Sequence, residues 1–154
     1  MRLQLAFVIA FSLSICFLSI CPAIAVEEGN LTNQTFDDLG FKAETFSGDS
    51  NQEVNMTFYS PSKYPKSVLY PHLLVITEGR VTININNASL FSEKLEKGEY
   101  YGNIKIPTGL IQEGLNTLSI VFSSSDYNSI YKYWYNYEIT LLGDSAIGIE
   151  NLAE

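Results

Sequence analysis

Apolar and polar residues alternate with a period of two in several short stretches of this chain. Residues 81–86 read Val-Thr-Ile-Asn-Ile-Asn, and the alternation returns in residues 103–106 and 117–122. Such alternation gives a β-strand one apolar face and one solvated face. About seven or eight short segments of this kind, separated by turn residues, predict an all-β chain folded as an antiparallel β-sandwich. Glu78 and Gly79, between two apolar stretches, are expected to form a hairpin turn.

A short polar connection separates the last two of these alternating stretches. Residues 107–114 begin with proline and end with glycine, which predicts one helical turn closed by a glycine cap. Leu110 and Ile111 are expected to pin this turn to the core. Gly114 ends the turn, and Asn116 can bond back to it through its side chain.

The first residues have the pattern of a secretory leader. Arg2 precedes an apolar run over residues 3–20, and Ala-Ile-Ala at residues 23–25 fits a small-x-small cleavage site. The pattern predicts a signal peptide over residues 1–25, with an uncleaved N-terminal anchor as the alternative. In both cases the rest of the chain is expected to be secreted or held at the cell surface. After cleavage no part is expected to insert into a membrane.

The remaining chain is long enough for a single domain with its own core. Residues 26–35 are polar and acidic, which predicts a flexible N-terminal lead-in. Residues 36–143 are assigned to the β-sandwich domain. Residues 144–154 are predicted to be a C-terminal tail.

Charge and cysteine content restrict the possible partners. The formal net charge is −8, which argues against nucleic acid as a partner because nothing offsets the phosphate charge. Both cysteines, Cys16 and Cys21, lie in the leader, so the mature domain has neither a disulfide nor a thiol nucleophile. Four Asn-x-Ser/Thr sequons predict exposed sites for N-glycosylation in a glycosylating host: Asn30, Asn33, Asn55 and Asn87.

Aromatic residues near the C-terminus give the main indication of function. Residues 130–142 are expected to form one long final strand, whose tyrosines face the core beside Ile139 and Leu141. Tyr100 and Tyr101, earlier in the chain, are candidates for a binding role that rank after the residues on the opposite face of this strand. A Trp among polar neighbours suits stacking on a sugar ring, sealing of a protein interface, or plain strand packing. The opposite face of the final strand would carry these candidate ligand-binding residues: Lys132, Trp134, Asn136 and Glu138.

A structural calcium is the one cofactor that the residues suggest. Asp49, Asn51 and Glu53 alternate within a turn and offer the hard oxygen ligands that calcium prefers. An ordinary Asx turn is the alternative interpretation of the same residues.

Nothing in the sequence indicates a catalytic centre. His72 is the only histidine, and without a partner histidine or cysteine it cannot anchor a transition-metal site. No Gly-x-Ser-x-Gly elbow is present, and no spacing favours a pair of glycosidase carboxylates. We therefore expect a packed or surface histidine and a protein that is not an enzyme.

Three parts of the central segment are arranged as in a known family. Residues 81–87 form a strand that ends in an Asn-bearing turn, residues 103–107 form a strand that runs into a polar turn, and residues 114–120 read Gly-Leu-Asn-Thr-Leu-Ser-Ile. The chain thereby resembles the jelly-roll domains of the galactose-binding-like superfamily, including non-catalytic sugar-binding domains of glycoside hydrolases. The family usually has Gly after the Asn of the first turn, where this chain has Asn87 and Ala88. The resemblance implies a jelly-roll sandwich and a binding role without a catalytic site.

These observations predict a secreted, non-catalytic recognition module whose ligand is carbohydrate. The alternative is a structural or adhesive cell-surface protein that binds another protein. A hydrolase is a distant third.

Overall fold

The computed structural model describes residues 31–63 and 65–150. The predicted signal peptide, the first part of the lead-in and the sequon at Asn30 lie outside the described residues. The part of the chain that is described consists of strands, turns and loops, and it contains no helix that could cross a membrane. Its strands are β1 (Leu31–Thr35), β2 (Glu44–Gly48), β3 (Gln52–Ser60), β4 (Ser67–Tyr70), β5 (His72–Thr77), β6 (Gly79–Ile85), β7 (Ala88–Leu95), β8 (Gly98–Tyr101), β9 (Ile104–Ile106), β10 (Gly114–Ser123), β11 (Tyr127–Asn128), β12 (Tyr133–Trp134), β13 (Tyr137–Leu141) and β14 (Ala146–Glu150).

One layer of the sandwich is a four-stranded antiparallel sheet with the order β3-β10-β6-β7, which we call the front sheet. Every second residue of β6 and β10 points into the core, because the side chains of a strand alternate between its two faces. The predicted period of two is therefore confirmed in both strands. The core residues that carry it are fully buried: Val81, Ile83, Ile85, Leu118, Ile120 and Phe122.

The second layer, which we call the bent sheet, contains two four-stranded sheets of matching order, β1-β14-β4-β9 and β2-β13-β5-β8. The N–H of Gly102 donates to the carbonyl of Pro71 over 2.8 Å, and the N–H of Leu142 donates to the carbonyl of His72 over 3.1 Å, so hydrogen bonding continues across the bend. Pro71 has no N–H to give to a ladder, which accounts for the break between β4 and β5.

The two layers form the antiparallel β-sandwich of jelly-roll type that the sequence predicts. The structure has more strands than the seven or eight expected, because each of the four positions in the second layer holds two short strands and a short hairpin adds two more. Between the layers, the ring of Phe46 on the bent sheet stacks on that of Phe122 on the front sheet, with centroids 4.3 Å apart and an interplanar angle of 8°.

The long final strand predicted over residues 130–142 is wrong. The strand begins only at Tyr137, and a separate two-stranded ribbon of β11 and β12 precedes it. Lys132 has φ 58, a left-handed conformation that interrupts an extended strand. Of the tyrosines expected in the core, Tyr137 is buried. The others are exposed as a consequence: Tyr131, Tyr133 and Tyr135.

The sandwich also includes residues at both ends that the sequence analysis placed outside it. Strand β1 lies in the predicted lead-in, and β14 lies in the predicted tail. Strand β14 pairs with both β1 and β4, and it buries Ile147 and Ile149 completely or nearly so. A Cβ on Gly148 would lie 2.7 Å from Oδ1 of Asn33, so the Asn33 side chain occupies the space that glycine leaves open.

The predicted hairpin at Glu78 and Gly79 is also wrong. Strand β5 belongs to the bent sheet and β6 to the front sheet, so this link crosses from one layer to the other. A Cβ on Gly79 would lie 2.7 Å from the Cβ of Tyr137. Glycine is therefore required by close packing at the crossing, rather than by a hairpin turn.

Residues 107–114 form a turn rather than the predicted helical turn, with the N–H of Leu110 donating to the carbonyl of Pro107 over 3.2 Å. Ile111 is buried and Leu110 packs against the core, as predicted. The predicted return bond of Asn116 is confirmed. Its Oδ1 accepts from the N–H of Gln112 at 2.8 Å, and its Nδ2 donates to the carbonyls of Gln112 and Gly114 at 2.8 and 3.0 Å.

Candidate functional site

A hairpin of exposed aromatic residues projects from the sandwich between β10 and β13. We call residues 127–135 the aromatic hairpin. Strands β11 and β12 form its stem, with Tyr127 opposite Trp134 and Asn128 opposite Tyr133. Most of its large side chains are exposed to solvent: Tyr127, Ile130, Tyr131, Tyr133, Trp134 and Tyr135.

Asn128 holds the turn of the hairpin. Its Oδ1 accepts from the N–H groups of Ile130 and Tyr131 at 3.1 and 3.0 Å, which makes an Asx turn. Its carbonyl accepts from the N–H of Lys132 at 2.8 Å, and its Nδ2 donates to the hydroxyl of Tyr135 at 3.1 Å. Four bonds to one residue give the exposed loop a defined shape.

The aromatic rings of the hairpin contact each other in pairs. Tyr127 and Trp134 have ring centroids 4.9 Å apart at an angle of 52°. Tyr133 lies 5.3 Å from Tyr135 and 6.3 Å from Tyr131. Such contacts stabilise aromatic pairs beyond the area that they bury, and they orient the rings that face solvent.

Trp134 forms one wall of an open cleft of about 550 Å³, which we call the Trp134 cleft. Three separate parts of the chain supply its polar lining: the link between β2 and β3, the start of β6, and the end of β10 with the loop after it. Arg80 and Ser123 are direct neighbours across β6 and β10. The polar lining residues are Asp49, Asn51, Arg80, Ser123, Ser124 and Ser125.

Ser123, Ser124 and Ser125 form one side of the cleft, which we call the serine wall. Asp126 fixes the last two of these serines. Ser124 donates its hydroxyl to the carbonyl of Asp126 at 3.1 Å, and Ser125 donates to its carboxylate at 2.9 Å. Lys94 contacts this carboxylate at 2.8 Å and that of Glu78 at 2.6 Å. The hydrogen bonds from Lys94 and Ser125 hold the pKa of Asp126 below its usual value, so it stays ionised at neutral pH.

Only one of the four residues predicted on the outer face of the final strand lies in the cleft. Trp134 lines it, and half of its surface is exposed, at 49%. Lys132 lies in the turn of the hairpin, Asn136 is an exposed residue between β12 and β13, and Glu138 is half-buried in β13 opposite Ser47. The common face that was predicted for them does not exist, because the segment is not one strand.

Tyr100 and Tyr101 lie on β8 of the bent sheet, where they do not line the cleft. Tyr100 is half-buried and lies 6.2 Å from the ring of Phe91. Tyr101 is exposed, stacks on His72 with centroids 4.2 Å apart, and donates its hydroxyl to Glu99 at 2.7 Å. These contacts make the pair a separate surface feature.

The three residues proposed as calcium ligands do not meet. Asp49 and Asn51 line the cleft, whereas Glu53 accepts a hydrogen bond from Ser119 at 2.7 Å on the outer face of the front sheet. Strand β3 begins at Gln52, which turns the Glu53 side chain towards Ser119. Within residues 31–63 and 65–150, no group of three or more His, Cys, Asp or Glu side chains could hold a metal ion. The Glu53 carboxylate is therefore engaged outside the cleft, and calcium binding at Asp49 and Asn51 stays a prediction.

Most of the cleft lining has no signature in the sequence. Arg80 and the run Ser123 to Ser125 have no local pattern that marks them as functional, and they meet only because β6 and β10 are neighbours in the sheet. The three sequons that the structure describes, at Asn33, Asn55 and Asn87, are exposed.

Neither a family model nor a curated protein matches the chain. Among solved structures, it is similar to the CBM36-1 domain of a multidomain xylanase from the hindgut metagenome of Trinervitermes trinervoides, with 15% identity, a TM-score of 0.42, and coverage of 81% of this chain and 100% of that chain. It is similar to a carbohydrate-binding module CBM36 in complex with calcium and xylotriose, with 10% identity, a TM-score of 0.42, and coverage of 77% and 99%. It is also similar to a chain in the structure of infectious bursal disease virus Gx strain, with 12% identity, a TM-score of 0.49, and coverage of 82% and 33%. Since all these TM-scores lie below 0.5, we infer function from the residues of this chain.

Proposed function

We propose that this chain is a secreted, non-catalytic carbohydrate-binding module and that the Trp134 cleft is its binding site. The observation that carries the proposal is a half-exposed Trp at the edge of a cleft whose other lining is polar. A sugar ring has an apolar face of C–H groups and a rim of hydroxyls. It is therefore matched by a flat aromatic side chain with convergent hydrogen-bonding groups beside it.

The setting of Trp134 supports stacking. Tyr127 packs against its ring at 4.9 Å, and the β11–β12 pairing holds its backbone, so little side-chain freedom is lost when a ligand covers the ring. Ser123, Ser124 and Ser125 offer hydroxyl groups, and Asn51 offers an amide, within the same cleft. Ser123 and Asn51 can both donate to and accept from sugar hydroxyls. Ser124 and Ser125 already donate to Asp126, so their hydroxyl oxygens serve as acceptors.

The environment of His72 supports a non-catalytic role. Its Nδ1 lies 2.8 Å from Asp144 and its Nε2 lies 2.9 Å from Glu99, so each ring nitrogen is hydrogen-bonded to a carboxylate. Ser145 is buried and exchanges hydrogen bonds with the backbone of His72, rather than with its ring. A nucleophile activated by histidine would need one ring nitrogen directed at the hydroxyl.

The test is binding to a panel of soluble and insoluble polysaccharides, with Trp134→Ala compared with wild type. Tyr131→Ala is a matched control, because it removes an aromatic ring from the same hairpin outside the cleft. We expect Trp134→Ala to weaken binding by at least about tenfold, which corresponds to about 1.4 kcal/mol, and Tyr131→Ala to leave it unchanged. Unchanged binding by Trp134→Ala, or no binding by the wild type, would overturn the proposal.

The tip of the aromatic hairpin favours a second candidate function, adhesion to another protein. Ile130 and Tyr131 are 80% and 73% exposed, and aromatic residues are enriched at protein interfaces. In this case Ile130→Ser and Tyr131→Ser would abolish capture of a surface protein, whereas Trp134→Ala would retain it. This is the reverse of the pattern expected for sugar binding, so the same variants separate the two functions.

A further inference from the structure

Two oppositely charged side chains line the Trp134 cleft, and neither is neutralised by the protein. Asp49 and Arg80 form no ion pair or side-chain hydrogen bond with any residue in the described ranges 31–63 and 65–150, including each other. Both are exposed to solvent. The anionic acceptor Asp49 and the cationic donor Arg80 are therefore both available to a ligand in the same cleft.

The neighbouring charges differ from these two because they already satisfy one another. Lys94 lies between the carboxylates of Glu78 and Asp126, at 2.6 and 2.8 Å. Hydrogen bonds from its ammonium group to both carboxylates raise the pKa of Lys94 well above its usual value, so Lys94 stays charged. This triad fixes the serine wall of the cleft through Asp126, while Asp49 and Arg80 remain available for binding.

We infer that the ligand of the Trp134 cleft is an uncharged sugar whose neighbouring hydroxyls donate to Asp49 and accept from Arg80 while the ring stacks on Trp134. The inference rests on the proposed function. Each hydroxyl of an uncharged sugar can donate and accept, so both charged groups gain charge-assisted hydrogen bonds at once.

Charged sugars fit the cleft less well. A uronate or sulfated sugar that contacts Arg80 would also approach Asp49, and the net charge of −8 for the chain disfavours a polyanion. An amino sugar in its cationic form that contacts Asp49 would approach Arg80 in the same way. An uncharged ring avoids both repulsions.

The experiment measures binding of the full secreted chain to soluble β-glucan and galactomannan as uncharged probes, to polygalacturonate as an anionic probe and to chitosan as a cationic probe, at low and high salt. The variants are Asp49→Asn and Arg80→Gln. Matched controls are Glu96→Gln and Lys105→Gln, which neutralise exposed side chains outside the cleft. Circular dichroism and thermal unfolding check that every variant is folded.

We expect an uncharged polysaccharide to bind with little dependence on salt, because no net charge is neutralised. Each cleft variant should weaken this binding at least about fivefold, since each removes a charge-assisted hydrogen bond, and the controls should not. Preferential, salt-sensitive binding of polygalacturonate that Asp49→Asn strengthens would overturn the inference and leave sugar binding intact. So would binding that Trp134→Ala abolishes but both cleft variants retain. If none of the probes binds, the proposed function fails together with this inference.

Discussion

The Nδ1 of His72 lies 2.8 Å from Oδ1 of Asp144, and this contact joins the start of β5 to the loop between β13 and β14. On the other side of the ring, Nε2 lies 2.9 Å from Glu99 on β8. Because a carboxylate faces each nitrogen, the protonated ring, which donates from both, is the form that satisfies both contacts. Burial by itself lowers the pKa of His72, but the hydrogen bonds with Glu99 and Asp144 outweigh it and raise the pKa above its ordinary value.

This arrangement predicts a loss of stability as the pH rises. The pKa of His72 is higher in the folded chain than in the unfolded chain, so its stabilising contribution is fully present below the unfolded value of about 6.5 and is lost as the pH rises through the folded value. We expect the difference in free energy of unfolding between wild type and His72→Gln to shrink from mildly acidic to alkaline pH, as measured by urea unfolding.

Two carboxylate variants check the origin of this pH dependence, one at a partner of His72 and one as a control. Glu99 accepts from His72, and this bond lowers the pKa of Glu99, so Glu99→Gln should reduce the pH dependence of stability. Glu96→Gln should leave the pH dependence of stability unchanged, because Glu96 is not among the groups that shift the pKa of His72. A pH dependence that is the same in wild type and His72→Gln would show that other groups cause it.

Asn116 is predicted to be the polar residue whose loss destabilises the sandwich most. It is almost fully buried, and its amide bonds to the turn before β10 and to Nδ2 of Asn86 at 2.7 Å. Asn116→Ala removes one partner from several part-buried groups, and a buried group left without a partner costs about 1–3 kcal/mol. We expect urea unfolding to show a loss of at least about 2 kcal/mol. Asn103→Ala, at an exposed position, is the matched control and should change stability by less than about 0.5 kcal/mol.

The sequence was sufficient to predict those parts of the fold in which a strand has one buried and one solvated face. The alternation in β6 and β10 identified their core residues, and the Gly-x-Asn pattern at Gly114 and Asn116 identified the bond back to the turn. It failed at residues 130–136, where alternating tyrosines suggested a strand. Tyrosine has an apolar ring and a polar hydroxyl, so its periodicity does not distinguish a core face from an exposed hairpin.

The binding cleft could not be predicted for a different reason. The cleft lining comes from three segments that are far apart in the sequence, around Asp49, around Arg80 and from Ser123 to Trp134, and the order of strands in the sheets brings them together. Local patterns of charge and hydropathy contain no information about that order. Trp134 was identified because a single exposed Trp among polar residues is unusual enough to be noticed without knowing its neighbours.

The turn between β6 and β7 predicts opposite effects for two adjacent asparagines. Asn86 and Asn87 have φ 48 and 67, the left-handed values of a two-residue hairpin in which glycine is favoured. Asn87→Gly should raise the free energy of unfolding by roughly 0.5 kcal/mol, and Asn87→Val should lower it by about 1–2 kcal/mol. Protein produced without N-glycans is used for the measurement, because Asn87 is in a sequon.

Asn86→Gly tests whether backbone conformation alone decides the result. Asn86 donates to the carbonyl of Leu110 at 2.8 Å and accepts from the N–H of Thr117 at 3.0 Å. We therefore expect Asn86→Gly to destabilise the protein, although its φ is as suitable for glycine as that of Asn87. Equal effects of glycine at the two positions would contradict the role given to the Asn86 side chain.

Phe122 and Tyr131 predict how differently the two kinds of aromatic residue contribute to stability. Phe122 is fully buried and stacks on Phe46 across the two layers, so Phe122→Ala should cost about 3–5 kcal/mol through lost burial and a new cavity. Tyr131 is 73% exposed, so Tyr131→Ala should change stability by less than about 0.5 kcal/mol in the same urea experiment. A large loss for Tyr131→Ala would mean that the aromatic hairpin supports the fold. Its rings would then serve packing, and the hairpin would not be free to present Trp134 to a ligand.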